Sequence, residues 1–154
     1  MARTATKEAE RICQTRVHMF ITTKDRRRVF NDKTAKTVFE QAARDVAERE
    51  DSRIIKIGYG IHDPNGELKY PYGVVHIIAE TQGGTAPSEL IEKIRKAGWD
   101  ALREAIPGLS KCSNLTRDYY IADTQMYDPN KAFEFVMRRS WREKRKARPE
   151  GCSI

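Results

Sequence analysis

Cysteine is scarce in this chain, and the patterns built on it are missing. Cys13, Cys112 and Cys152 are odd in number and far apart. No CxxC pair or Cys/His cluster occurs, which argues against structural zinc and favours a reducing, intracellular compartment. No apolar run approaches the ~18 residues that span a bilayer. The N-terminal stretch MARTATKEAERICQ also lacks the apolar segment of a secretory signal, so neither membrane insertion nor secretion is expected. Gly83-Gly84-Thr85 has no Walker-type lysine and no GxGxxG run, and it reads as a connection rather than a phosphate cradle. A Ser/His/Asp set, a paired-carboxylate motif, an internal repeat and a duplex-reading recognition helix are missing as well.

What is present begins with charge. The 154 residues suit one ordinary domain with a real core. Lys and Arg number 29 against 22 Asp and Glu, a net charge of +7, and the excess lies at the ends. Residues 1–28 hold eight basic and three acidic side chains, and so do residues 131–154, whereas the middle is slightly acidic. Two basic ends on a near-neutral body suit phosphate neutralisation. An acidic protein partner would satisfy the same pattern.

The most structured stretch is 53–80, RIIKIGYGIHDPNGELKYPYGVVHIIAE. Asp63-Pro64-Asn65-Gly66 predicts a three-residue hairpin loop with Gly66 in the left-handed conformation. Paired residues then sum to 130. That register puts Ile55, Ile57, Tyr59 and Ile61 on a core face with Val75, Ile77 and Ala79. The opposite face collects Ile54, Lys56, Gly58, Gly60 and His62 with Leu68, Tyr70, Tyr72, Val74, His76, Ile78 and Glu80, a mixture that reads as a working surface.

Around this hairpin, 15–23 alternates as a strand with His18, Phe20 and Thr22 on one side. Apolar spacing predicts helices over 33–50 and from Pro87 to the stop at Pro107-Gly108. RDYYIAD, 117–123, is a further strand, and Asp128-Pro129 opens a last helix by the cap-then-proline pattern. Phe133, Val136, Met137, Ser140 and Trp141 mark its packing face. The expected segments are a weakly ordered 1–14, an α/β body over 15–126, and a C-terminal helix with a basic tail over 127–154.

The order βαββαβ predicts an α+β fold, a ferredoxin-like sandwich with an antiparallel sheet, helices on one face and an extra basic C-terminal helix. This order resembles that of RNA-recognition-motif domains and other ferredoxin-like modules across about residues 15–125, though the basic-Gly-aromatic-Gly-aromatic signature is missing. Such modules stack bases on aromatic side chains of their central strands.

Three chemistries follow. The first is RNA or single-stranded DNA binding. Phe20, Tyr70 and Tyr72 would stack bases, helped by Lys56 and the loop Arg26, Arg27, Arg28. Arg138, Arg139, Arg142, Lys144, Arg145, Lys146 and Arg148 would contact phosphates, as in a component of a nucleoprotein complex. Alternatively, the C-terminal helix covers these rings, and the basic ends alone bind.

The second chemistry is metal-dependent nicking. Enzymes that cleave single-stranded DNA with a tyrosine nucleophile use a related sheet, with a His-x-His pair on a central strand and a later helical tyrosine, often near a lysine. His76 and Tyr127 with Lys131 are similar to parts of that pattern, but Ile78 stands where a second histidine would be. His76, Glu80 and Tyr127 are then the catalytic candidates, and His18 and His76, with His62 on the same face, the metal candidates. Glu80 lies ~13 Å along the strand from His76, too far to share one ion. A divalent metal is the sole cofactor implied, and for this reading alone. The third chemistry is a protein-interaction or inhibitor module with an acidic partner.

Overall fold

A computed structural model describes residues 15–24, 27–82, 85–111 and 115–144, with side chains described outside 110–118 and 139–144. The element order is β1 (Thr15–Thr23), α1 (Lys33–Arg49), β2 (Arg53–Tyr59), β3 (Ile61–His62), β4 (Leu68–Lys69), β5 (Val74–Thr81), α2 (Pro87–Ala105), β6 (Leu115–Asp123) and α3 (Pro129–Lys144), with single 3-10 turns after β1 and α2. Asp32 caps α1 by accepting from the Thr34 amide at 2.9 Å, and Asp128 accepts likewise from Asn130 ahead of α3.

The main sheet has the order β2-β5-β1-β6, with every neighbouring pair antiparallel. The chain is therefore an α+β protein whose two central strands are β5 and β1. One face of the sheet packs on α1 and α2. Met19, Ile21 and Ile77 meet Phe39, Ile94 and Leu102 there, all fully buried. Burying side chains of this size contributes about 1.5–3 kcal/mol each. The opposite face carries a smaller core of Phe20, Ile61, Val74, Ala132 and Val136, so α3 lies over part of it.

The 53–80 hairpin departs from a single continuous ladder. At its tip, Ile61 pairs with Lys69 and His62 with Leu68, and the Gly66 amide donates to the Asp63 carbonyl at 2.9 Å with Gly66 at φ 83°. The loop and its register are as the DPNG sequence predicts. Below the tip, Gly60 at φ 88° and a turn over 70–73 separate this short ribbon from the main sheet. Ile57, Gly58 and Tyr59 pair with Ile77, His76 and Val75. That offset of four preserves parity, so Ile57 and Tyr59 still face the helices.

A bulge between Ile54 and Lys56 then reverses the alternation. Ile54 enters the core in place of the predicted Ile55, which is 38% exposed. Ile61 likewise belongs to the second core, not the first, because Gly60 redirects the ribbon.

Candidate functional site

Period two along β1 puts His18 and Phe20 on the face that α3 partly covers, and β5 puts His76 beside them, with Phe20 and His76 as direct cross-strand partners. His18 Nδ1 lies 3.2 Å from His76 Nε2, so one imidazole donates and the other accepts. Tyr127, just ahead of α3, stacks on His18 with ring centroids 4.1 Å apart and planes 6° apart. Phe20 stacks on His76 at 4.2 Å and 10°. Two imidazoles are thus held between two aromatic rings. A cavity of about 260 Å³ opens beside them, lined by Phe20, Gly60, Ile61, His62, His76, Tyr127 and Pro129.

Burial and neighbouring charge set the protonation of this cluster. His76 titrates near 4, pushed down by burial, then by His18 and Lys56. His18 is also lowered, by burial and by Arg16. Both imidazoles are therefore neutral at pH 7. Tyr127 is pushed the other way, by burial and by Tyr120 and Asp128, and keeps its phenolic proton.

Glu80 stands apart from this cluster. Its two oxygens take Arg16 at 2.7 Å and Arg53 at 2.8 Å, and the hydrogen bond from Arg16 leads in holding its carboxyl below the usual range. Among the described residues no group of three or more His, Cys, Asp or Glu converges as a metal site would require. His62 lines the same cavity as His76 but shares no hydrogen bond with either imidazole among the described residues.

The base-stacking candidates divide. Phe20 is 1% exposed beneath α3, so its ring is closed to a base. Tyr70 is half-buried against that second core, and its hydroxyl donates to Met137 Sδ at 3.6 Å. Tyr72 is half-buried, with the exposed Arg28 guanidinium 4.7 Å above its ring. Arg27 is 3% exposed, a buried side chain rather than a solvent-facing phosphate contact. Lys56 and Arg138 are exposed. Arg26, Arg145, Lys146 and Arg148 lie outside the described residues, as do residues 1–14 and Gly83-Gly84; Arg139, Arg142 and Lys144 lie on α3 with side chains outside the description. Arg16 and Arg53 were not among the candidates, although Arg16 stands two residues before His18 and period two alone gives it the same face.

No protein-family model and no curated protein sequence matches this chain. Solved structures do. A candidate transposase from Deinococcus radiodurans R1 superposes with a TM-score of 0.65 at 14% identity, over 82% of this chain and 91% of that one. A REP-associated tyrosine transposase bound to a REP hairpin gives a TM-score of 0.49 at 13% identity over 79% of this chain; the match spans 61% of that protein. The first likeness establishes a shared fold. Among the described residues no helix is long and apolar enough to cross a membrane.

Proposed function

We propose that this chain processes DNA, cutting single strands with Tyr127 as the nucleophile, on a ferredoxin-like βαββαβ frame extended by a basic C-terminal helix. The observation that carries the reading is the juxtaposition of Tyr127 with two neutral imidazoles, one of which, His76, lines a cavity together with it. The fold likeness to a candidate transposase supports a DNA substrate over RNA.

The step is a phosphoryl transfer. Tyr127 Oη attacks a backbone phosphorus, an O–P bond forms, and the bond from phosphorus to the departing sugar oxygen breaks. The phenolic proton is taken up by a neutral imidazole of the pair and returned to the departing oxygen. The strand end is left esterified to the protein. Burial keeps Tyr127 protonated until that moment, so proton removal is the demanding part. A divalent metal, which the nicking resemblance calls for, fits poorly here. The donor set is two imidazoles, and the carboxylate of Glu80 stands apart, engaged by two arginines.

That incomplete donor set favours a second reading, in which the chain grips single-stranded nucleic acid without cutting it. One experiment separates the two. A labelled single strand incubated with the protein, with and without Mn²⁺ or Mg²⁺, should give a covalent adduct on a denaturing gel that Tyr127→Phe abolishes. Binding that weakens steeply with salt, but with no adduct and no cleavage, selects the second reading. Absence of binding at low salt removes both.

A further inference from the structure

Only part of the sheet face beneath α3 is covered. The remainder presents two cross-strand rows in register, Arg53, Glu80 and Arg16, then Lys56, Ile78 and His18; a third, Gly58, His76 and Phe20, runs beneath α3 at its Phe20 end. Arg16, Arg53 and Lys56 are exposed, and Gly58 and Ile78 are half-exposed. Three cations face one carboxylate on this patch, so it is complementary to a polyanion. Glu80 already engages both arginines. Lys56 makes no ion pair among the described residues, and its ammonium is close enough to contribute to the lowering of His76.

Gly58 is the unexplained residue. It lies inside β2, where glycine weakens a strand. Its backbone does not need glycine, because its φ lies outside the left-handed range, and a Cβ there would meet no atom within 4 Å. Neither a turn nor internal packing accounts for it. A glycine without such a cause, cross-strand from His76 and two residues from a lysine that makes no ion pair among the described residues, marks a surface that something else approaches closely.

We infer that Lys56 and Gly58 form a subsite over which a single-stranded DNA backbone crosses β2 on its way to Tyr127, a phosphate meeting Lys56 and the strand lying against the bare backbone of Gly58. The path beyond Gly58 rests on the strand-cutting reading; the binding itself does not.

Fluorescence anisotropy of a labelled oligothymidylate with the full chain tests this. Gly58→Val adds bulk where a Cβ meets no atom within 4 Å and should weaken binding about tenfold, with Gly58→Ala intermediate. Lys56→Gln should lower the slope of log affinity against log salt by about 0.7, one phosphate on a single strand. Thermal unfolding of each variant checks the fold, and Lys56→Gln decides the matter should Gly58→Val be unstable. An unaltered chain that binds while the folded variants match it in affinity and slope overturns the subsite. Binding that depends on Lys56 and Gly58 but yields no Tyr127 adduct sustains the subsite and removes strand cutting. If the unaltered chain binds no strand at low salt, both are wrong.

Discussion

His18 and His76 occupy positions where protonation is penalised twice, by burial and by positive charge nearby. In the unfolded chain an imidazole titrates near 6.5, whereas folded His76 titrates near 4. Between those values the unfolded chain takes up a proton that the folded chain refuses. Stability is therefore full above about pH 6.5 and falls as the pH drops toward 4, by up to roughly 3 kcal/mol from this residue. Urea unfolding from pH 7 to pH 4 should give a flatter profile for His76→Gln than for the unaltered chain. Equal slopes would mean that burial is not what holds the ring neutral. Alternation in the sequence was enough to put His18, Phe20 and His76 on one face. It could not reveal that Phe20 is closed off, because that depends on where a helix more than a hundred residues later comes to rest. Arg27 hides for a similar reason: in a run of charge, nothing local marks a side chain that turns inward.

Among the elements, helices were the most legible, since each carries a start signal in its own residues and the second a stop as well. Asp32, Asp128-Pro129, Pro87 and Pro107-Gly108 all stand at or beside the observed ends. The strand at 53–62 was harder to read. The DPNG loop dictates the local register, but a bulge at Ile55 and the positive φ of Gly60 are backbone events whose cause lies in the pairing with β5. Their effect is to exchange Ile55 for Ile54 in the core. Between the two helices behind the sheet, Gly98 has a plain packing role. A Cβ there would fall 2.5 and 2.6 Å from two ring carbons of Phe39, which is itself fully buried against Phe30. Alanine favours a helix over glycine by about 1 kcal/mol, but overpacking costs about 1–3 kcal/mol. Gly98→Ala should therefore leave the protein less stable, as a lower urea midpoint with unchanged slope. A higher midpoint would mean that α1 and α2 separate easily.

At the scale of the molecule, the sheet is a layer with a core on each side, the larger beneath α1 and α2 and the smaller beneath α3. The charge pattern of the chain pointed to a polyanion before any fold was in view; of the exposed cations on the sheet face, Arg16 belongs to the basic N-terminal end, whereas Arg53 and Lys56 come from the slightly acidic middle. What the charge pattern could not supply is the histidine–tyrosine cluster, which draws on β1, β5 and the segment before α3.

The strand order carries a last consequence. β1 is hydrogen-bonded on both edges and buried on both faces, with Met19 and Ile21 on one side and Phe20 on the other. β2 is an outer strand with one bonded edge and a bulge. Deuterium should therefore enter the amides of β2 orders of magnitude sooner than those of β1, where release requires global opening; similar rates would contradict this gradient. Each imidazole is thus anchored to a strand bonded on both edges, whereas a visitor crossing Gly58 would meet one bonded on a single edge.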